Sequence, residues 1–171
     1  MQQTKLIVLR GPSGSGKSSA ALAVREAFLG KMALVQQDYL RRTLLKEKDV
    51  ADGLNIQLIE DVTLFALNHS HSVIMEGIFD KGRYTKMFEN ILKVHPDNNY
   101  FFYFDVSLEE TLKRHELKPN KDQFGEKELR SWYKPGDFLD IVKEDIIPES
   151  YTFQQTVEYI LTQSALVPKM S

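Results

Sequence analysis

Hydrophobic positions along this chain form short apolar runs separated by longer segments with helical spacing. The runs predict four buried strands and a short fifth one, at Thr4–Leu9, Met32–Gln36, Ser72–Met75, Tyr100–Val106 and the DIIPES segment from Asp145. The intervening apolar periodicity predicts helices at Ser18–Leu29, Leu54–Leu67, Tyr84–Val94, Leu108–Leu117 and Phe153–Leu161. Strands that alternate with helices favour right-handed crossovers and a parallel sheet covered on both faces. We therefore expect one α/β domain spanning residues 1–171.

Composition supports an ordinary globular domain and excludes several functional classes. The chain has 171 residues, of which 42% are hydrophobic and 27% are charged. Its net charge of −2 provides no global basic field for nucleic acid or anionic membranes. The absence of cysteine excludes disulfides, zinc–thiolate sites and cysteine nucleophiles. No apolar run approaches the roughly 20 residues that span a bilayer, so we expect a cytoplasmic protein without a membrane partner.

The stretch LRGPSGSGKSS, which follows the first strand, carries the strongest chemical signal. It matches the pattern G-x-x-x-x-G-K-[ST] in full. Glycines allow the backbone N–H groups to converge on a phosphate, and the following helix directs its positive end at the same oxygens. The lysine adds a cation for the β- and γ-phosphates, and Ser18 offers a hydroxyl to Mg²⁺. The predicted nucleotide site comprises Gly11, Ser13, Gly14, Ser15, Gly16, Lys17, Ser18 and Ser19.

An acidic residue follows the second predicted strand, in the segment QQDYLRR. Ligands of open parallel sheets gather at the carboxyl ends of the strands, so we expect Asp38 near the γ-phosphate. A carboxylate there can align an acceptor hydroxyl and accept its proton. Asp38 is equally suited to be the N-cap of a following helix, and the two roles are compatible. One helical turn later, Arg41 would reach the same site and hold an anionic or polar acceptor, or it would lie on a solvated helix face.

A glycine-rich loop followed by this second-strand aspartate resembles the small P-loop kinases. These include bacteriophage-type polynucleotide kinases, chloramphenicol phosphotransferases, zeta-toxin kinases, and shikimate and gluconate kinases. The resemblance implies a three-layer P-loop NTPase fold, with a five-stranded parallel sheet in the order 2-3-1-4-5 and ATP as the phosphoryl donor. It also implies that Asp38 aligns or activates the acceptor hydroxyl. The segment DYLRR is most similar to the polynucleotide kinase version, in which the arginine, here Arg41, helps to hold the acceptor's phosphate.

The third predicted strand ends in Glu76 and Gly77. A carboxylate at this point can bind the water shell of magnesium, and the glycine would leave room for an acceptor beside the phosphate loop. Glu76 differs from the usual Walker B aspartate, and the alternative is an ordinary ion pair with a nearby cation. Arg83 follows soon after this strand, so its basic side chain is a candidate to contact the acceptor. The alternative is a surface position.

A basic segment follows the helix after the fourth strand. Between Lys113 and Lys134 there are seven lysines and arginines and four acids, a local charge of +3 in a chain of −2. The position corresponds to the lid of small P-loop kinases, which covers the phosphates and excludes water. We place this lid at approximately residues 117–134. The resemblance of RHELKP to the start of such a lid implies Arg114 near the adenine or phosphates and Lys118 over the phosphates.

Within this lid, Arg130 is the better candidate for a two-oxygen grip on the transferring phosphoryl group. Lysine lacks the planar fork of arginine, which weakens the case for Lys118 in that role. A solvated charged loop is the alternative for the whole segment. His115, beside Arg114, is expected to be an exposed helix residue.

These features predict an ATP- and Mg²⁺-dependent kinase, monomeric or homodimeric, that acts on a hydroxyl of a small molecule. A polynucleotide 5′-hydroxyl is the second choice, because only Arg41, Arg42 and Arg83 suggest a basic track for neighbouring phosphates. A P-loop ATPase or nucleotide-binding switch is the alternative from a different class. The acceptor itself is not identified by the sequence.

Overall fold

The computed structural model describes residues 3–117 and 125–169, and it contains one five-stranded sheet. Every strand pairs in parallel with its neighbours in the order β2-β3-β1-β4-β5, as predicted. The strands are β1 (Leu6–Arg10), β2 (Met32–Gln36), β3 (Ser72–Glu76), β4 (Asn99–Asp105) and β5 (Asp145–Pro148). Their carboxyl ends therefore meet at one edge, where ligands of such sheets bind.

Six α-helices and one π-helical turn are present in the described residues. The helices are α1 (Lys17–Ala27), α2 (Leu54–Asn68), α3 (Lys81–Val94), α4 (Leu108–Glu116), α5 (Glu126–Trp132) and α6 (Phe153–Gln163). The predicted N-cap of α4 is confirmed, because the Ser107 hydroxyl accepts a 3.2 Å hydrogen bond from the Glu110 N–H. The π-helical turn at Tyr39–Leu44 stands where a helix after Asp38 was considered, whereas α5 was not predicted as a separate element.

The sheet separates two hydrophobic cores and so forms the middle of three layers. Leu6 and Val8 point to a core that includes residues of α2 and α3. Ile7 and Leu9 alternate with them and point to the core formed with α1 and α6. A strand buried on both faces reads as a continuous apolar run, which explains the sequence of β1. This arrangement confirms the three-layer prediction.

Within residues 3–117 and 125–169, no helix combines the length and apolarity needed to cross a membrane. The predicted lid is described only in part, by α5 and the residues that follow it. Lys118 lies outside the described residues, so its assigned role remains a prediction.

Candidate active site

The glycine-rich segment forms a tight loop between β1 and α1, which we call the phosphate loop (residues 11–18). Gly11, Gly14 and Gly16 have φ angles of 137°, 81° and 100°, which L-residues rarely adopt. A Cβ atom at Gly11 would lie 2.7 Å from the Phe104 carbonyl oxygen. At Gly14 the corresponding distance is 3.1 Å, to the carbonyl oxygen of Thr111. Glycine is therefore required at Gly11 both by backbone conformation and by the close approach of β4.

The lysine of the loop is buried and folds back over it. Lys17 Nζ donates hydrogen bonds to the Pro12 carbonyl oxygen at 2.7 Å and to Ser15 Oγ at 3.1 Å. Its side chain is thus held at the first turn of α1, which contains no acidic residue to neutralise the positive end of the helix. Ser18, in the same turn, is exposed. The loop combines a positive helix terminus, a positioned ammonium group and an accessible hydroxyl, which together suit a nucleotide phosphate.

Arg114 anchors the loop from α4 and borders a cleft of about 170 Å³. Its guanidinium donates to the Ser15 carbonyl oxygen at 3.0 Å, to the Glu149 carbonyl oxygen at 3.2 Å and to Glu110 Oε1 at 2.7 Å. We call this space the aromatic cleft, because Phe104, Tyr151 and Phe153 line it together with Ser15, Gly16, Ala20, Arg114 and Thr156. The structure therefore places Arg114 against the phosphate loop, beside walls suited to a flat ring.

Asp38 lies directly after β2, at the start of the π-helical turn. Arg41 Nη2 is 2.9 Å and Arg42 Nε is 3.3 Å from Asp38 Oδ1, and both pair with that same oxygen. Asp38 Oδ2 has no partner among the described residues, and the side chain is 67% exposed. Asp38 occupies the N-cap position, yet its side chain makes no capping hydrogen bond. Its carboxylate is thus oriented by two arginines with one oxygen left for another group.

A second and larger cleft, of about 450 Å³, lies beside these arginines. We call it the cationic cleft, because the described residues that line it include five cationic side chains and two acidic ones. Its lining comprises Arg41, Arg42, Lys48, Asp49, Ile78, Asp80, Arg83, Ser131, Trp132 and Lys134. Ile78, Trp132 and Lys134 also border a small space that touches Gly11 and Pro12. The cationic cleft therefore shares wall residues with a space that borders the phosphate loop.

Arg83 lines this cleft and is held by two carboxylates. Its guanidinium lies 3.3 Å from Asp49 Oδ2 and 3.5 Å from Asp80 Oδ1, and Lys134 Nζ also pairs with Asp80. Burial alone would raise the pKa of Asp80, but the Lys134 hydrogen bond and the charges of Arg83 and Lys134 outweigh it, so the pKa is lowered. Arg83 is thus part of a partly buried ion network at the cleft wall and not an isolated surface cation.

A buried polar cluster supports the same wall from behind. The Tyr84 hydroxyl accepts hydrogen bonds from Gln37 Nε2 at 2.7 Å and from Asn55 Nδ2 at 2.9 Å, and it donates to Asp49 Oδ1 at 2.9 Å. Burial, followed by the nearby charge of Asp49, raises the pKa of the Tyr84 hydroxyl. This cluster fixes the carboxylate of Asp49, which in turn holds Arg83.

Glu76 and Gly77 end β3 between the phosphate-loop strand and β2. Glu76 is 6% exposed and accepts a 3.1 Å hydrogen bond from Gln36 Nε2, instead of the ion pair considered as its alternative. At Gly77, a Cβ atom would lie 2.3 Å from Gln37 Oε1. The space that this glycine leaves is filled by the Gln37 side chain, so contact with an acceptor remains a prediction. In the described ranges, no cluster of three or more His, Asp or Glu side chains could hold a metal ion.

Arg130 lies on the exposed side of α5 and pairs with its own helix. Its Nη2 and Nε are 2.6 and 2.7 Å from Glu126 Oε1, and its side chain is 55% exposed. Within the described residues no contact joins it to the phosphate loop, so its catalytic role remains a prediction. His115 is 3% exposed, and the expectation that it is an exposed residue was wrong. It shares with Thr111 the face of α4 that is buried, and Thr111 approaches the phosphate loop at Gly14.

Sequence reasoning missed three residues that shape the site. Trp132 lines the cationic cleft, and the Arg42 guanidinium lies 5.4 Å from the centre of its ring. Lys134, which was counted only as a lid cation, pairs with Asp80. Arg10 is fully buried at the end of β1, immediately before Gly11. The sequence feature that could have identified Arg10 as buried is its position as a charged residue at the end of an otherwise apolar strand.

Arg10 joins the strand before the phosphate loop to the segment after α5. Its Nη1 lies 2.8 Å from each carboxylate oxygen of Glu144, and its Nη2 donates to the Phe79 carbonyl oxygen at 2.8 Å. Nη2 also contacts the Asp137 carbonyl oxygen at 2.9 Å and Asp137 Oδ2 at 3.2 Å. Because Arg10 is fully buried and pairs with the carboxylates of both Glu144 and Asp137, it forms a rigid connection behind the site.

Comparison with known proteins shows the fold of the chain. No protein-family model and no curated protein match it. It is similar to a gluconokinase from Sinorhizobium meliloti at 17% identity and a TM-score of 0.70, over 96% of this chain and 94% of that one. A tunicamycin resistance protein from Deinococcus radiodurans matches at 19% identity and a TM-score of 0.67, over 98% and 99% of the two chains.

An APS kinase from Mycobacterium tuberculosis, solved with AMPPNP and APS, gives a third match. The identity is 17% and the TM-score is 0.69, over 95% of this chain and 98% of that chain. The similarity in each case extends over nearly the whole chain. These likenesses confirm that the chain has the fold of the small P-loop kinases.

Proposed function

We propose that this chain is an ATP-dependent kinase that transfers the γ-phosphoryl group of ATP to a hydroxyl group of a small molecule. The observation that carries the proposal is the position of the phosphate loop between two clefts of different chemistry. Ser15 and Gly16 line the aromatic cleft, whereas Gly11 and Pro12 border the space that shares walls with the cationic cleft. Phosphoryl transfer requires a donor and an acceptor held in separate sites that meet at the γ-phosphate.

The donor side is assigned to the phosphate loop and the aromatic cleft. The loop backbone and the start of α1 hold the β- and γ-phosphates, and Lys17 exchanges its hydrogen bonds within the loop for phosphate oxygens. Arg114 lies between the loop and the aromatic cleft, where it contacts the nucleotide on the adenine side. Ser13 and Ser18 of the loop and Ser19 of α1 offer further polar groups to the phosphates, whereas Ser15 is buried and accepts a hydrogen bond from Lys17.

Magnesium fits the residues at this site as a partner of the nucleotide. Mg²⁺ is usually bound through one or two carboxylates together with substrate phosphates, so a preformed cage of three acids is not needed. The Ser18 hydroxyl, exposed at the start of α1, and the carboxylate of Glu76, at the end of β3, suit that mode. The ion would neutralise charge on the transferring group.

Asp38 acts on the acceptor. Its free Oδ2 accepts a hydrogen bond from the acceptor hydroxyl, while Arg41 and Arg42 hold Oδ1 and fix the carboxylate. As the acceptor oxygen forms its bond to the γ-phosphorus, the bond from that phosphorus to the β,γ-bridging oxygen breaks and ADP departs. The hydroxyl proton passes to Asp38 Oδ2 and then to solvent.

The two lid cations are assigned to the transferring phosphoryl group. Arg130 pairs only with Glu126 of its own helix in the described contacts, and both side chains are more than half exposed. An exposed pair of this kind contributes about 0.2–1 kcal/mol, so a phosphate can readily replace it. We keep Lys118 in the same role on the basis of the resemblance alone.

Two other functions are kept as alternatives. The cations Arg41, Arg42 and Arg83 all line one cleft, which favours a polynucleotide 5′-hydroxyl as the second candidate acceptor. An ATPase or nucleotide-binding switch would use the same phosphate loop and water as the acceptor. The oriented carboxylate of Asp38 and the second cleft favour a kinase over that alternative.

The proposal is tested by ADP release from ATP and Mg²⁺ in the presence of an acceptor panel. The panel comprises nucleosides, sugars, sugar acids, aminoglycoside and phenicol antibiotics, and 5′-hydroxyl oligonucleotides. We expect one class of acceptor to raise the rate of ADP release well above the rate with water alone. Lys17→Ala should abolish this acceptor-dependent ADP release. Lys86→Ala is the matched control, because Lys86 is exposed and pairs only with Glu89. A low rate that no acceptor changes and that Lys17→Ala leaves intact would contradict the proposal.

A further inference from the structure

Among the described residues that line the cationic cleft, the acids do not balance the positive charge. Arginines 41, 42 and 83 and lysines 48 and 134 face Asp49 and Asp80. Even if Asp38 is added, because it pairs with two of the arginines, the cleft keeps a surplus of two positive charges. The chain as a whole carries −2. A local surplus of this sign in a chain of the opposite charge indicates a ligand that brings negative charge.

The cations of the cleft differ in how fully they are paired. Arg83 and Lys134 are held by Asp49 and Asp80. Lys48 is exposed and has no hydrogen bond or ion pair to any residue within 3–117 and 125–169. Arg41 keeps its Nε buried and without a hydrogen-bond partner in the same ranges. The exposed ammonium group of Lys48 is therefore available to pair with a bound oxyanion.

One side chain that lines the cleft is aromatic. Trp132 lines the cleft, and the Arg42 guanidinium lies 5.4 Å from its ring centre, within the range of a cation–π contact. This contact holds the Arg42 side chain at the cleft, where its N–H groups point along a fixed plane. A planar fork of this type matches the paired oxygens of a carboxylate or phosphate.

We propose that the acceptor is a small molecule that carries an oxyanion, a phosphate or a carboxylate, in addition to its hydroxyl group. Lys48, Arg42 and Arg83 form the oxyanion subsite, and Trp132 forms its wall. The inference rests on the proposed function, since it names the substrate class of the same cleft. A small molecule is favoured over a polynucleotide because Asp49 and Asp80 interrupt the cations, and a continuous phosphate backbone would meet both carboxylates.

Trp132 is the single tryptophan of the chain, so its fluorescence reports directly on this cleft. The phosphate loop is first saturated with AMPPNP and Mg²⁺, and inorganic phosphate is then titrated at constant ionic strength. We expect a saturable change in fluorescence, with the dissociation constant raised about tenfold or more in Lys48→Gln and Arg83→Gln. Lys86→Gln, which alters an exposed lysine on the same helix as Arg83, should behave like the unmodified protein.

Lys48→Gln is the decisive variant, because Lys48 makes no described contact whose loss would disturb folding. A second arm compares transfer to matched pairs, D-gluconate with D-glucose and ribose 5-phosphate with ribose. We expect the anionic member of at least one pair to be preferred, and Lys48→Gln to reduce that preference. The two pairs distinguish a carboxylate from a phosphate.

The inference is wrong if phosphate causes no saturable change, or if Lys48→Gln and Arg83→Gln bind it as tightly as Lys86→Gln does. Preference for the neutral member of both pairs would also overturn it while leaving the kinase proposal intact. Transfer to a 5′-hydroxyl oligonucleotide alone would replace the small molecule by a polynucleotide. Failure of AMPPNP to bind at all would instead refute the proposed function, and the comparison of Lys48→Gln with Lys86→Gln would then distinguish phosphate bound in the cleft from phosphate bound at the phosphate loop.

Discussion

Arg41 Nη2 donates a 2.9 Å hydrogen bond to Asp38 Oδ1, and Oδ2 of the same carboxylate has no partner within residues 3–117 and 125–169. Arg42 Nε pairs with the same oxygen at 3.3 Å. Residues three and four positions further along a helical turn lie on one face, so both arginines reach Oδ1. These ion pairs orient the carboxylate through Oδ1 and leave Oδ2 available to the acceptor hydroxyl.

Replacing Asp38 by asparagine should therefore separate transfer from nucleotide binding. We expect the rate of transfer to the acceptor to fall by about 10²–10⁴-fold, because the amide cannot accept the hydroxyl proton. The dissociation constant of ATP should stay nearly unchanged, since no described contact joins Asp38 to the phosphate loop. Asp61→Asn is the control, because Asp61 is an exposed residue of α2 that bonds only to Gln57. Full transfer by Asp38→Asn would disprove the assigned role.

Gly11→Ala should damage the phosphate loop. The new Cβ atom would lie 2.7 Å from the Phe104 carbonyl oxygen, and the φ of 137° disfavours any L side chain. We expect loss of the stabilisation that ATP and Mg²⁺ give in thermal unfolding, together with a lower melting temperature for the free protein. Gly125→Ala serves for comparison, because its φ is −108° and its nearest new contact is at 3.4 Å. Equal ATP stabilisation of the two variants would count against the assignment.

Asp80 should make the stability of the protein depend on pH. Its pKa is lower in the folded protein than the ordinary value of 3.8, so the stabilising contribution is present above that value. It is lost as the pH falls through the lowered pKa. We expect Asp80→Asn to be less stable than the unmodified protein at pH 7 and at pH 5, with the difference shrinking only below about pH 4. Urea unfolding at pH 7, 5 and 3 measures this, and a difference that disappears already at pH 6 would refute it.

Removal of the Arg10 guanidinium should be among the most destabilising substitutions in the chain. Arg10→Met leaves the buried carboxylate of Glu144 without its cationic partner, at a cost of about 3–5 kcal/mol in the free energy of unfolding. A second substitution, Glu144→Gln in the same chain, should recover part of the loss because it removes the unpaired charge. Urea unfolding of the single and double variants tests this. A double variant less stable than Arg10→Met would show that the charge is not the cause.

The arrangement of strands and helices could be predicted from the sequence because it depends on local patterns. β2 begins and ends where predicted, and α2 and α4 differ from the prediction by one residue at one end. The phosphate loop was equally predictable, since its glycines satisfy a backbone requirement that lies within the loop. The continuous apolar run of β1 already implied a strand covered on both faces.

Features that depend on distant contacts could not be predicted. Arg10 is buried because Glu144 and Asp137, more than a hundred residues later, supply its partners. His115 is buried because its face of α4 packs inward, although the residue type favours the surface. Gln37 fills the space beside Gly77, which the sequence alone assigned to an acceptor. Each of these outcomes requires the tertiary arrangement.

The central claim is that the γ-phosphoryl group held at the phosphate loop passes to a hydroxyl aligned by Asp38. Phosphorus NMR of a reaction with ATP, Mg²⁺ and a pooled set of hydroxyl acceptors, anionic ones included, tests it most directly. The account predicts a new phosphomonoester signal that grows with ADP, is absent in Lys17→Ala and is strongly reduced in Asp38→Asn. If inorganic phosphate is the only product, at a rate that neither acceptors nor Asp38→Asn change, the account is wrong and water is the acceptor.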